Sequence, residues 1–226
     1  MCIAAFAWQA HPLYPFLLLL NRDEYFNRQT LLILLSLLLI TISSFVWMAR
    51  PTKPLGWWEG GEILGGRDEV GGGTWLACTR NGKVAFITNV LELHTLPEAK
   101  SRGELPVRFL KGTQSPTEFA EMLLEEAHEY NGFNLILADL SSRSMIYITN
   151  RPKGEGIRIQ EVPPGLHVLS NAKLDSPWPK GYYGTRSTVA LTVSADGDVT
   201  FYETYLEKEM WKEQTISYRI DKRKQI

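Results

Sequence analysis

MCIAAFAWQAHPLYPFLLLLNRDE, residues 1–24, holds two short apolar runs joined by a proline-containing turn, and it decides the fold. The runs at 2–8 and 16–20 have the length of strands and are bounded by turn-forming residues. Two such runs around a short connection predict a β-hairpin. The stretch therefore predicts two antiparallel buried strands that end at the charged residues 21–24.

The rest of the chain combines further hairpin signals with two helical segments. Asn-Gly at 81–82, Ser-Ser-Arg at 141–143 and Asp-Gly at 196–197 each separate two apolar runs, which predicts three more hairpins. Capping boxes at 101–104 (SRGE) and 115–118 (SPTE) predict two helices. About eight or nine strands, clustered on both sides of two helices, predict an α+β layered domain.

Length, charge and cysteine content limit the classes of function. The chain has 226 residues, enough for one domain with a substantial core. Its formal net charge of −1 argues against a surface for nucleic acid. The two cysteines form no CxxC pair, so we expect neither a disulfide framework nor a zinc site, and we expect a reducing, cytoplasmic compartment. Glu92 and His94 give a weak metal pattern, for which a solvated loop is the preferred interpretation.

A glycine run at 71–74 (GGGT) has the composition of a phosphate-binding loop. The run lacks the lysine that such a loop needs, and it precedes a predicted strand where a phosphate loop precedes a helix. We therefore expect a backbone turn that lines a site.

Cys2 is the first candidate functional residue, because removal of the initiator Met would leave it at the N-terminus. An α-amino group has a pKa of about 7.7–8.0, so it can accept the thiol proton near neutral pH. A cysteine in this position supplies both a nucleophile and its general base. The alternative interpretation is a small apolar residue at the start of a buried strand.

Polar residues follow the ends of several apolar runs, where they would lie near Cys2. Arg22 and Asp23 come directly after the second strand, and burying such charges is costly unless they are paired. Beside Cys2, an arginine would favour the thiolate and an aspartate would hold the α-amino group. Asn89 and Asn171 end later strands, and either amide suits a developing oxyanion. A solvated hairpin end is the alternative interpretation of the charged turn.

Several segments together carry a resemblance to a known family: MCIAAFAW, LLLLNRDEYFNR, GGRDEVGGGTWLACTRNGKVAFITNVLE, SRGELP, YNGFNLILAD, VLSNAKLDSPWPK and YGTRSTVAL. They resemble the NRDE family, also called the transport and Golgi organisation protein 2 family, and a plant member above all. The family takes its name from the Asn-Arg-Asp-Glu motif found here at 21–24. The likeness covers most of residues 1–28 and 51–226, and the motifs in combination are highly specific.

The resemblance implies an N-terminal-nucleophile-hydrolase-like fold, with two β-sheets between helical layers (αββα), as a single domain over residues 1–226. It also implies a site built from an N-terminal Cys, an Arg and an Asp on the second strand, an Asn on a central strand, and a later Asn and Arg. Carried over by position, these are Cys2, Arg22, Asp23, Asn89, Asn171 and Arg186.

The family has no settled reaction, so the resemblance leaves two hypotheses about function. The first is an N-terminal-Cys amidohydrolase-like enzyme that acts on a small acyl or amide substrate. The second is a non-catalytic protein that binds or transports haem or lipid, with haem as a cargo and no resident cofactor or metal. The family's links to Golgi and secretory organisation, lipid metabolism and haem mobilisation imply a cytoplasmic protein with Golgi or mitochondrial association.

The chain departs from the family pattern at residues 29–50 and near residue 180. In the family, NRDEYFNR runs directly into PTKPLGWW-like sequence, so 29–50 has the character of an apolar insert. Residues 29–49 are uncharged and long enough to cross a bilayer, which makes a single-pass membrane protein the third hypothesis. A crossing would separate the first hairpin from its sheet, so a loop insert with membrane contact is preferred. Near 180 a helical segment is missing, which predicts an incomplete helical layer and an exposed apolar sheet face.

Overall fold

The computed structural model describes residues 2–23, 52–90, 92, 95–176, 185–207 and 210–220, and of 22, 23, 185–187, 206 and 207 it describes the backbone. These residues form 13 strands and two α-helices. In chain order they are β1 (Ile3–Trp8), β2 (Phe16–Asp23), β3 (Thr52–Trp57), β4 (Ile63–Asp68), β5 (Leu76–Thr79), β6 (Lys83–Asn89), α1 (Glu104–Lys111), α2 (Pro116–Glu126), β7 (Phe133–Asp139), β8 (Ser144–Thr149), β9 (Arg158–Glu161), β10 (Gly165–Leu169), β11 (Thr185–Val193), β12 (Asp198–Glu207) and β13 (Met210–Arg219).

The strands form two antiparallel sheets. One has six strands in the order β10–β1–β2–β11–β12–β13, and the other has seven in the order β3–β4–β5–β6–β7–β8–β9. The predicted hairpin of β1 and β2 is confirmed, with Ile3 opposite Asn21 and Trp8 opposite Phe16. Because β10 and β11 pair with its two outer edges, this hairpin lies inside the six-stranded sheet.

The three later hairpins are also confirmed. β5 pairs with β6, β7 with β8, and β11 with β12, each across the turn predicted from the sequence. Gly82 and Gly197 have φ values of 87° and 86°, a left-handed conformation that glycine adopts without steric penalty. These local turns therefore fix the register of the strands they join.

Apolar side chains fill the space between the two sheets. Phe6 and Leu18 of the six-stranded sheet belong to one buried cluster with Phe86 and Tyr147 of the seven-stranded sheet. The rings of Phe6 and Phe86 meet edge to face, with their centroids 5.5 Å apart. A second buried cluster lies between the seven-stranded sheet and the two helices. The seven-stranded sheet is therefore covered on both faces.

Both predicted helices are present, but only one of the predicted capping boxes is. At α2, the Glu118 N–H donates to Ser115 Oγ (3.2 Å), and the Ser115 N–H donates back to the Glu118 carboxylate (2.8 Å). The box predicted at 101–104 is wrong, because α1 begins after Gly103 and has no side-chain cap. The residues before α1 are held by another loop instead, since the Gly103 carbonyl accepts the Thr74 N–H (3.0 Å).

The sequence undercounts the strands, because β3, β4 and β13 were not predicted. In β4, a Cβ on Gly65 would lie 2.6 Å from the Cβ of Ala77 on the neighbouring strand. Glycine is therefore required for close pairing, yet it weakens the sequence signature of a strand. β3 contains Pro54 and has an irregular register between Lys53 and Gly56, and these features also weaken its sequence signature as a strand.

The outer face of the six-stranded sheet is apolar and open where β10, β1 and β2 meet. The register places Val168, Ala5 and Leu19 in one row across these strands. Leu19 is 60% exposed, and Leu166 next to this row is 81% exposed. Both described helices lie on the other sheet. The described layers therefore run helix, sheet, sheet, which confirms the α+β sandwich.

Two predictions fall on other parts of the chain. The apolar insert at 29–50, with its alternative of a membrane span over 29–49, and the missing helical segment near 180 lie outside the described residues. Neither described helix combines the length and the apolar character that a bilayer crossing requires.

Candidate active site

A cleft of about 450 Å³ opens at the end of the sandwich where β1 begins. It brings Cys2, at the start of β1, together with Asn89, at the end of β6. The other lining residues belong to the end of β4, to β6, to the loop before β5, to the segment that precedes α1 and to the loop that follows α2: Asp68, Gly73, Thr74, Trp75, Ile87, Ala99, Lys100, Ser101, Arg102, Gly103 and Asn131. Both sheets and the loops that flank the two helices therefore contribute to its walls.

Asn171 connects Cys2 to the opposite sheet. The backbone N–H of Cys2 donates to Oδ1 of Asn171 (3.0 Å), and Nδ2 of Asn171 donates to the backbone carbonyl of Asn89. Asn171 follows β10, which pairs with β1, whereas Asn89 belongs to the seven-stranded sheet. One side-chain amide therefore fixes the Cys2 nitrogen relative to both sheets.

Arg22, Asp23 and Arg186 lie on adjacent strands at the same end of the six-stranded sheet. Since Ile3 pairs with Asn21, the next step along β2 brings Arg22 level with Cys2. β11 pairs with β2 at Arg22 and at Asp23, and Arg186 occupies the irregularity between these two pairs. The backbone register thus places all three residues near Cys2, and the roles assigned to their side chains stay predictions.

Asp68 is a cleft residue that the sequence reasoning did not single out. It ends β4, and its Oδ1 accepts the N–H groups of Val70 (2.9 Å) and Gly71 (3.2 Å). The loop it caps is a backbone turn that lines the cleft and precedes β5, as predicted for 71–74 in place of a phosphate loop. The available signal was the charged run Arg67-Asp68-Glu69, which is separated from the glycine run at 71–73 by one residue.

The floor of the cleft includes two glycine backbones in close contact. A Cβ on Gly73 would lie 2.5 Å from the carbonyl carbon of Gly103. The neighbouring Thr74 donates its N–H to Gly103 and its hydroxyl to the Gly66 carbonyl (2.7 Å). Any larger side chain at Gly73 would therefore push the loop away from the approach to α1.

Two cations at the cleft are each bound to neighbouring groups. Lys100 pairs with Glu129 and lies 3.7 Å from Glu126. The hydrogen bond to Glu129, together with both carboxylates, raises the pKa of Lys100. Arg102 donates to the Gly132 carbonyl (2.8 Å). The cleft lining therefore includes two cations as well as the Asp68 carboxylate.

The two cysteines of the chain are both free thiols in very different surroundings. Cys78 is buried in the core, where desolvation raises the pKa of its thiol to about 12. The Tyr218 hydroxyl also donates to its sulfur (3.4 Å). Cys2, in contrast, is partly exposed in the cleft. Because the thiolate is the reactive form, Cys2 is the better nucleophile of the two.

His167 is buried on β10 with both ring nitrogens engaged. Nδ1 lies 2.9 Å from the Asp175 carboxylate, and Nε2 lies 2.8 Å from the Pro163 carbonyl oxygen. Its ring also lies against Phe6, with 5.2 Å between the centroids. This arrangement fits a structural role for His167.

Glu92 is bound by protein donors. Its carboxylate accepts from the Gly132 N–H (2.5 Å) and from Nε of Arg151 (2.6 Å). Burial acts to raise the pKa of Glu92, but these donors outweigh it and lower the pKa below its ordinary value. Its predicted partner, His94, lies outside the described residues. Within the described ranges, no three His, Cys, Asp or Glu side chains are grouped as metal ligands.

Comparison with known proteins extends the motif evidence. The family model described as Transport and Golgi organisation 2 matches residues 1–35 and 46–181, so the unmatched residues 36–45 fall within the expected insert. The Transport and Golgi organization 2 homolog of Mus musculus is 35% identical over 195 residues. Those of Bos taurus and Homo sapiens are 34% and 35% identical. Each alignment covers 81% of this chain, which spans 62% of the relative's length.

Among solved structures, the chain is similar to a Caenorhabditis elegans N-acylethanolamine-hydrolyzing acid amidase (NAAA) ortholog. The TM-score is 0.47 at 11% identity, over 75% of this chain and 70% of that one. The family match, which covers most of the chain, confirms the family predicted from the motifs: this chain belongs to the Transport and Golgi organisation 2 family.

Proposed function

We propose that the chain is an amidohydrolase-like enzyme in which Cys2 attacks the carbonyl group of a small acyl or amide substrate. The observation that carries the proposal is the 3.0 Å hydrogen bond from the Cys2 nitrogen to Asn171. Removal of Met1 would convert this held nitrogen into an α-amino group on the same residue as the thiol. The cleft of about 450 Å³ is of ordinary size for a small-molecule site.

The proposed reaction has two stages. The α-amino group takes the thiol proton, the Cys2 sulfur adds to the carbonyl carbon, and the carbonyl oxygen becomes an oxyanion that accepts from an amide N–H of Asn89 or Asn171. The C–N bond then breaks, and the leaving amine takes the proton from the α-ammonium group. Water hydrolyses the resulting thioester by the same steps and restores the thiol.

The charged residues have supporting roles in this proposal. Arg22 favours the thiolate, Asp23 holds the α-ammonium group, and Arg186 lines the site. Their backbone positions on β2 and β11, beside the start of β1, support these roles. Haem, lipid or another cargo held in the same cleft without chemistry is the competing function.

Two measurements test the proposed enzyme. The intact mass of the purified protein should lack Met1, and iodoacetamide should label Cys2 but not Cys78 in the folded state. Hydrolysis of a panel of small fluorogenic amides should be lost in Cys2→Ala and kept in the control Cys78→Ala. A retained Met1 or an unreactive Cys2 would contradict the proposal.

The family name adds a cellular role to the proposal. We infer that the protein acts in transport and Golgi organisation, as its relatives' names suggest. The family resemblance adds to this proposal a cytoplasmic protein in association with Golgi or mitochondrion. Haem titration distinguishes the two functions proposed for the cleft, amide hydrolysis and cargo binding. A protein that binds haem equally well with and without Cys2→Ala, and hydrolyses no amide, would favour a cargo carrier.

A further inference from the structure

A buried polar network on the seven-stranded sheet holds the turn that carries Asn171. The carbonyl groups on both sides of Asn171, those of Ser170 and Ala172, point towards that sheet. The hydroxyl of Thr88 donates to the Ser170 carbonyl (2.7 Å), and Nδ2 of Asn134 donates to the Ala172 carbonyl (2.7 Å). The turn is therefore held at two points, one on each side of the residue that contacts Cys2.

Asn134 is fixed in turn by Tyr147. The Tyr147 hydroxyl donates to Oδ1 of Asn134 (2.8 Å), so Nδ2 must face the turn. Nδ2 also lies 3.3 Å from the Ser170 carbonyl and 3.4 Å from the Thr88 hydroxyl. The side chain is thus bonded through both its oxygen and its nitrogen, and it cannot rotate without losing several bonds at once.

The network lies in the interior, where polar side chains are costly unless fully bonded. Thr88 and Asn134 are each 1% exposed, and Tyr147 is 2% exposed. The same strands use apolar residues such as Phe86 and Ile136 to fill the core between the sheets. On the face that fills this core, polar residues replace them near the end of β6 and the start of β7, towards the cleft. Their position fits a task at the cleft better than a task in core packing.

We propose that Thr88, Asn134 and Tyr147 are positioning residues that orient Asn171 towards the Cys2 nitrogen. The chemical consequence rests on the proposed function, in which that nitrogen is the α-amino base. The Asn171 carbonyl favours the charged ammonium form, and a positive charge beside the sulfur favours the thiolate. Loosening the network therefore raises the pH at which Cys2 becomes reactive.

The test is the pH dependence of Cys2 alkylation by iodoacetamide, followed by intact mass. Asn171→Ala should raise the midpoint by about one pH unit. Tyr147→Phe and Thr88→Val, which each remove one buried hydroxyl and nearly keep the shape, should raise it by about half as much. Thr79→Val is the matched control, because Thr79 is a buried threonine at the far end of the same sheet whose hydroxyl bonds groups of its own turn, at Asn81 and Lys83. It should leave the midpoint unchanged.

A second readout keeps this inference separate from the enzyme proposal. The NMR signals of the Asn171 side-chain amide report its hydrogen bonds whether or not Cys2 is reactive. Tyr147→Phe and Thr88→Val should shift and broaden these signals, and Thr79→Val should not. If the signals and the midpoint stay as in the wild type in both network variants, the inference is overturned. If the signals move but Asn171→Ala leaves the midpoint unchanged, the positioning stands and the proposed function fails.

Discussion

The two sheets of the sandwich differ in what covers them. The seven-stranded sheet packs against the other sheet on one face and against α1 and α2 on the other, and every residue of β7 is buried. The six-stranded sheet has one buried face and one open face with exposed leucines. Equal changes of side chain should therefore be far more destabilising on either face of the first sheet than on the open face of the second.

The largest expected effect compares two leucines, one from each sheet. Leu135 is fully buried between β7 and the helices, so Leu135→Ala should lower the free energy of unfolding by about 3 kcal/mol. Leu19 is 60% exposed, and Leu19→Ala should change it by less than about 0.5 kcal/mol. Urea denaturation measures both. A loss at Leu19 as large as at Leu135 would mean that the outer face is covered in solution.

The next effect concerns a buried lysine that joins the seven-stranded sheet to α1. Nζ of Lys83 donates to the carbonyls of Gly112 (2.8 Å) and Gln114 (2.7 Å), just beyond the end of that helix. Lys83→Met would leave these carbonyls without their charged donor and should lower the free energy of unfolding by about 2 kcal/mol. Lys53→Met, at an exposed position of β3, is the control and should have little effect. Equal urea midpoints for the two variants would show that the hydrogen bonds of Lys83 do not stabilise the fold.

A smaller effect is expected where the covered sheet meets the cleft. Gly73→Ala places a methyl group against the backbone of Gly103 and should lower the free energy of unfolding by about 1.5 kcal/mol through overpacking. Gly56→Ala is the matched control, because the nearest atom to its new Cβ is 4.0 Å away. Thermal unfolding of both variants measures the difference. A Gly73→Ala protein as stable as Gly56→Ala would show that the loop moves freely.

The smallest effect depends on pH. Because the folded-state pKa of Glu92 is lowered, its stabilisation is fully present above the ordinary carboxyl pKa of 4.5 and is lost as pH falls through the lower folded value. Glu92→Gln should therefore cost about 1 kcal/mol at neutral pH and progressively less in acid. Urea unfolding from pH 7 downwards tests this, with exposed Glu62→Gln as the control. A stability gap that does not change with pH would exclude the ionised pair with Arg151 as its cause.

Local sequence patterns predict much of this fold. The pairing of strands that are distant in the sequence cannot be predicted from such patterns. Asn81-Gly82 and Asp196-Gly197 predicted their hairpins correctly, because a two-residue turn is specified by its own residues. The pairing of β1 with β10 and of β2 with β11 joins distant segments, and no local pattern encodes it. β4 was missed because its glycines are required by tertiary contacts. Gly65 packs against Ala77 of β5, and Gly66 packs against the Trp75 ring just before β5.

The candidate site shows the same division. Cys2 was singled out because it would become the N-terminal residue, and Asn89 and Asn171 because polar residues at the ends of apolar strands stand out in a sequence. Asn134 and Tyr147 were missed, because a polar residue within a buried strand has no signature until its partners are known. The capping box misassigned at Ser101 has the same origin, since the contact of Gly103 with the Gly73 loop overrides the local preference.

The separation of Cys2 and Asn171 by 169 positions also orders events on the ribosome. At about 5–20 residues per second, Asn171 is made roughly 10 to 30 seconds after Cys2. Throughout that interval the first hairpin lacks both neighbouring strands, β10 and β11, so its first residues stay open to enzymes that trim nascent chains. Removal of Met1, on which the proposed function depends, can therefore precede formation of the cleft, because the cleft requires the non-local pairing of β1 with β10.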